Sequence, residues 1–199
     1  LLSYNNIDYE LLITSNRYFN RFDPDFFNPD NLREILFYIP EIKKYIIPDK
    51  KEYRVGEAPF NVLGNYGIYI DKNKDYYFST IIENDKKYST INRTINVDFK
   101  KMKEAVISET QEFTGHWAIT NRAMLNLSNN LNSDEFKDYL TTSGIKGKKI
   151  IEYSIINKDI YQPNYNNPFV VKSIISAESV LTSDNKTSKK KNKRYIFNL

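Results

Sequence analysis

Apolar residues recur through the first 47 positions at intervals near a helical turn: Tyr9, Leu11 and Leu12, then Tyr18, Phe19 and Phe22. That spacing predicts helix. Asp23-Pro24-Asp25 and Asn28-Pro29-Asp30 break the run. Asp30 or Asn31 is then placed to cap a second helix carrying Leu32, Ile35, Leu36, Ile39, Ile42 and Tyr45. Pro40 should kink or split that helix, because proline removes a backbone donor. Pro48-Asp49-Lys50 is a turn, and Lys51 to Glu57 reads as a short strand with Arg54 inside it.

The pattern is β-rich from Asn61 to Val97. Ile68-Tyr69-Ile70 and Tyr76 to Ile82 flank Asp71-Lys72-Asn73-Lys74 and predict a hairpin; Tyr88 to Val97 predicts one more strand. Asp98 to Leu127 reads as the strongest helical stretch, with Asp98 as its cap and Gly115 bending or dividing it. Ser133-Asp134-Glu135 caps a further short helix through Phe136 and Tyr139. Tyr139 to Gly144 follows as a hydroxyl-rich strand end, and Lys149 to Ile156 as a strand. Tyr161 to Pro168 is a loop that ends in an exposed-looking Phe169, and Arg194 to Leu199 is a final strand.

Lys172 to Leu181 is the most informative stretch. Alternation along a strand puts Ser176, Glu178 and Val180 on one face, and Ile175, Ala177 and Ser179 on the other. A carboxylate on such a strand is either solvated at an edge or held for use, since burying it unpaired costs several kcal/mol, roughly. Arg54 carries a similar pair of readings. It presents a guanidinium fork to a phosphate or carboxylate beside Gly56, or it pairs with Glu52 or Glu57 across strands.

Composition narrows the chemistry. The chain has no Cys, which excludes disulfides, a thiolate nucleophile and Cys-ligated zinc. A single histidine, His116, makes a His-rich metal centre or a Ser-His-Asp triad a poor basis for function, so no metal is expected. No segment has the unbroken apolar length of a membrane helix. A soluble protein is expected, secreted or delivered into a target cell, and a chain opening on Leu1 reads as a processed protein or an excised domain. The net charge of +4 is uneven: Lys186 to Arg194 holds six basic residues and no acid. Such runs are usually solvated, with nucleic acid or a membrane surface as the functional alternative.

Three pieces stand in order: Tyr53-Arg54 after a helical segment, Thr141-Thr142-Ser143 at a strand end, and Ser176-Ala177-Glu178 on a strand. This order resembles the mono-ADP-ribosyltransferase toxin family, with its Arg, then Ser-Thr-Ser, then Gln/Glu-x-Glu. The contexts IIPDKKEYRVGE, YLTTSGIKGKKIIEYSI, SAESVL and RYIFNL are similar to that family's corresponding segments. The resemblance implies an α+β fold, with N-terminal helices followed by a mixed β-sheet core split around an NAD cleft. It would form one catalytic domain over 1–199, helical over 1–47 and β-rich over 48–199, with a helical insertion at about 98–140.

It also implies roles. Arg54, with Tyr53, would hold NAD, the substrate. Thr141 would orient the catalytic Glu178, and Thr142 and Ser143 would support the strand. Phe169 would face a macromolecular acceptor, protein or nucleic acid. A fixed carboxylate would stabilise the positive charge that develops on the ribose as nicotinamide leaves. Ser176 stands where the family has Gln or Glu, which implies a hydroxyl or nucleic-acid acceptor, or NAD hydrolysis alone. Two other classes fit the composition: a basic, aromatic-rich nucleic-acid-binding module, and a non-enzymatic interaction protein.

Overall fold

The run Ile35-Leu36-Phe37-Tyr38-Ile39 is contiguous, β-branched and aromatic, and in the computed structural model it forms a strand rather than the expected helix. The structure describes residues 2–26, 28–82, 89–101, 104–128, 133–141, 148–161, 167–178, 181–183 and 195–197. These show an α+β protein of mostly antiparallel sheets with few helices. Where the sequence suggests one domain, contacts group the chain into two compact units, Leu1–Lys87 and Tyr88–Leu199.

The first unit is built on β1 (Glu10–Thr14), β2 (Glu34–Ile39), β3 (Lys44–Ile46), β4 (Tyr66–Ile70) and β5 (Tyr76–Thr80), in the order β3-β2-β1-β4-β5. All neighbours are antiparallel. The helical N-terminal part expected over 1–47 is thereby corrected to three strands and two 3-10 turns, at Ser3–Asn5 and Pro29–Asn31. Pro40 marks the end of β2, and Lys43, at φ 55°, closes the turn into β3. The β4–β5 hairpin forms as expected. Its turn is held by the Asp71 carboxylate, which accepts from the Asn73 and Asp75 amides at 2.8 and 2.9 Å.

One face of this sheet packs against the segment between β3 and β4. Leu12, Leu36, Tyr45 and Tyr69 form a buried core there with Ile47, Ala58, Val62 and Ile81. Lys51 to Glu57, expected as a strand, is a series of turns on this face, with Gly56 at φ 103°. Asn65, fully buried, ties the next loop down. Its Oδ1 accepts from the Phe22 amide at 2.9 Å, and its Nδ2 donates to the Ser15 carbonyl at 2.9 Å.

The second unit has β6 (Ile91–Lys101), β7 (Glu104–Phe113), β8 (Lys149–Ile156) and β9 (Phe169–Glu178) in the antiparallel order β6-β7-β9-β8. A two-stranded piece, β10 (Leu181–Ser183) with β11 (Tyr195–Phe197), follows. Helices α1 (Gly115–Ser128) and α2 (Ser133–Leu140) lie between β7 and β8. The helix expected from Asp98 is therefore two strands followed by a helix that starts at Gly115. Phe113, Ala118, Leu140, Phe169 and Val171 make a core where the helices meet one face of the sheet, and Ala105, Ile107, Ile175 and Ala177 make a second core further along that face. A buried arginine closes the helical end. Arg122 donates through Nε to the Asn157 carbonyl at 2.8 Å and through Nη2 to the Asn167 carbonyl at 2.6 Å.

Candidate functional site

The residues picked out by the sequence are divided between the two units. Tyr53 and Arg54 belong to the first unit; Thr141, Phe169, Ser176 and Glu178 belong to the second. Arg54 lies in a turn, not on a strand. Its backbone amide donates to Glu57 Oε2 at 3.1 Å. Tyr53 packs, half-buried, against the core of the first unit.

Pairing within the second unit assigns faces. Antiparallel partners point the same way, so Phe169, Val171, Ser173, Ile175 and Ala177 share the helix-covered face with Phe113, Gln111, Glu109, Ile107 and Ala105. Positions 172, 174, 176 and 178 fall on the opposite face, with Thr110, Ser108, Val106 and Glu104. The expected alternation of Ser176 and Glu178 against Ile175 and Ala177 is thus present in the backbone.

Phe169 is corrected from a ligand-facing loop residue to a core residue. It is 0% exposed, and its ring meets Phe113 edge-on at 6.1 Å. Thr141 is corrected from a strand end to a helix end, where its buried hydroxyl donates to the Lys137 carbonyl at 2.8 Å. Leu140, just before it, is held from the helix-covered face by Gln111 Nε2, which donates to the Leu140 carbonyl at 2.7 Å. Thr141 is thus attached on the helix-covered side of the sheet, while backbone positions 176 and 178 fall on the other face. Thr142 and Ser143 lie outside the described residues. Half-buried Ser176 pairs with Lys149 and Val106, and position 178 stands opposite Glu104 at the end of β7.

Polar groups do gather inside the helix-covered face. Glu109, Ser173 and Tyr153 sit side by side across β7, β9 and β8. Arg93 Nε donates to the buried Glu109 carboxylate. The Ser173 and Tyr153 hydroxyls are buried with no hydrogen-bond partner among the described residues. Burial pushes the Tyr153 phenol up to about 12. A similar effect governs the tyrosines of the first unit. Burial raises Tyr69 and Tyr77, with hydrogen bonds from Tyr69 to Tyr45 and from Tyr77 to Glu10 adding to it. Such shifts favour neutral phenols and suit packing, not acid–base work near neutrality. Among the described residues no group of His, Asp and Glu is arranged to hold a metal ion, and no helix is long and apolar enough to cross a membrane.

The feature that motif reading passed over is the outer face of the first sheet. The register places Leu11, Ile13, Ile35, Phe37, Ile39, Lys44, Ile46, Tyr66, Ile68, Ile70, Tyr76, Phe78 and Thr80 on the face opposite the core. Only Lys44 and Thr80 among these are polar. Ile35 is 50% exposed, Tyr66 44%, Tyr76 67% and Phe78 37%. At one end a groove of about 510 Å³ opens between Ile7, Tyr9, Leu11, Phe37 and Ile70, with Asn6, Asp8, Asp71 and Lys72 also lining it. The missed signal was parity: once Ile35 to Ile39 is a strand, an apolar residue at every position makes both faces apolar.

Compared with protein-family models, curated proteins and solved structures, the chain matches none of them.

Proposed function

We propose that this chain is a non-enzymatic interaction protein whose contact surface is the outer face of the five-stranded sheet. One observation carries the reading: all but two of the residues on that face are apolar or aromatic, and four of the large ones are exposed. A sheet with one face on its own core normally turns polar side chains to water on the other. Apolar patches of this kind on a folded unit mark contact surfaces. The test is site-specific photo-cross-linking from position 35, with exposed Asp49, away from the face, as control. A discrete adduct from position 35 and none from position 49 is expected; equal yields, or none, overturn the reading.

A second reading, mono-ADP-ribosyl transfer from NAD or NAD hydrolysis, is favoured by the placement of Ser176 and position 178 together on the water-facing side of β9. Thr141 and Phe169, the other residues that the resemblance singles out in this unit, are both buried. Nicotinamide release from NAD decides it: turnover by the wild type that Glu178→Gln abolishes supports it, and none by the folded wild type removes it.

A further inference from the structure

The occupant of the outer face is the next question, and its answer rests on the interaction reading above. We propose that a second copy of this chain packs its own outer face against it, across a two-fold axis near the central strand β1. A two-fold interface sets each residue near its own image, so a charge at its centre would meet a like charge. The centre of this face carries none: Leu11, Ile13, Ile68, Ile70, Phe37 and Ile35 are all uncharged, and Lys44 lies on the edge strand β3. The same surface is therefore compatible with itself, a condition an unrelated partner need not meet.

The area is of the right order. With aromatic side chains contributing about 150–250 Å² each when fully exposed, the four exposed residues leave on the order of 400 Å² of mainly apolar surface per copy, and the eight half-buried residues of the face add to it. A standard interface covers roughly 800 Å² per partner. Two sheets packed face to face with their strands roughly aligned interdigitate side chains in a layer about 10 Å thick. The Tyr76 and Phe78 rings stand on this face of the edge strand β5, with centroids 5.9 Å apart and planes at 80°. They would form the aromatic flank of such a layer.

The absence of native cysteine makes the test simple. Sedimentation equilibrium of the wild type should show a monomer–dimer equilibrium. Ile35→Lys and Tyr76→Lys, each at an exposed position, should weaken it at least tenfold while circular dichroism and the urea midpoint stay as in the wild type. A single cysteine introduced as Ile13→Cys, on the central strand, should join two chains through a short bismaleimide, and one introduced as Asp49→Cys should not. A monomer at every concentration overturns the second-copy proposal, as does a dimer indifferent to both lysine variants and cross-linked equally from either cysteine. The two failures are separable. A monomer that still gives a discrete heterologous photo-adduct from position 35 leaves the interaction reading standing, whereas a monomer that gives none removes both.

Discussion

Arg122 and Asn157 are joined by a 2.8 Å hydrogen bond from guanidinium Nε to carbonyl oxygen, inside a helix whose arginine is almost fully buried. A second bond, to the Asn167 carbonyl, spans to the chain entering β9, and Asn157 Nδ2 donates to the Pro168 carbonyl at 2.8 Å. One side chain thus holds both ends of the β8–β9 connection. Arg122→Ala should lower unfolding free energy by about 3 kcal/mol, since two carbonyls lose a charged donor held in a buried position. Arg122→Lys should recover part of this, because an ammonium cannot reproduce the planar fork. Urea denaturation with a cooperative, unchanged slope checks both; a loss under about 0.5 kcal/mol for the alanine variant would contradict the role.

Asn65 performs the equivalent task in the first unit, with its amide shared between the Phe22 backbone and the Ser15 carbonyl and hydroxyl. Asn65→Leu, close in size, should cost about 2–3 kcal/mol by leaving buried backbone groups unpaired. Hydrogen exchange should locate the loss: the amide of Phe22 gains exchange while that of Leu36 in the core changes little. Uniform acceleration would point to global destabilisation instead.

Gly67 faces Leu12 across the sheet, and a methyl group added there would come within 2.3 Å of Leu12 Cδ1. Leu12 is fully buried. Gly67→Ala should therefore cost about 1–3 kcal/mol through overpacking, despite the usual entropic advantage of alanine. Thermal unfolding measures it, and a raised midpoint would show that the core can absorb the methyl.

Alkaline pH provides a further test. Tyr153 titrates near 10.0 when unfolded and is pushed up to about 12 in the fold by burial. Its folded form therefore holds the proton when the unfolded chain has begun to lose it. The stability linked to this group is complete below pH 10 and falls as pH rises towards about 12. Tyr153→Phe should flatten that decline, and it should not weaken the protein at neutral pH, because the hydroxyl has no partner among the described residues. Unfolding midpoints between pH 8 and 11.5, roughly, follow both effects; an unchanged slope would count against them.

What the chain discloses in advance depends on whether one period dominates. Strand β8 and the β4–β5 hairpin were legible from β-rich runs and an Asp-rich turn. The first 47 residues were not, since consecutive apolar residues satisfy helical spacing and a two-sided strand equally. Strands β6 and β7 were concealed differently. Ala105, Ile107, Glu109, Gln111 and Phe113 alternate inward, but two of the five are polar, and Glu109 is accommodated through Arg93, sixteen residues earlier. No local window contains that pairing. Likewise, the loop composition before Phe169 suggested exposure, whereas the Phe113 partner that buries it is distant in sequence.

The divided character of β9 also limits how this sequence can change length. Its odd positions from Phe169 to Ala177 are core, and Lys172, an even one, faces water. Deleting a single residue after Val171 would turn every later side chain of the strand to the other side, placing Ile174, Ser176 and position 178 in the interior and Ile175 and Ala177 in water. Substitutions here act one site at a time, but insertions and deletions act on the whole remaining strand. Changes in length are therefore tolerable only in the connections, and the central strand keeps its reading frame.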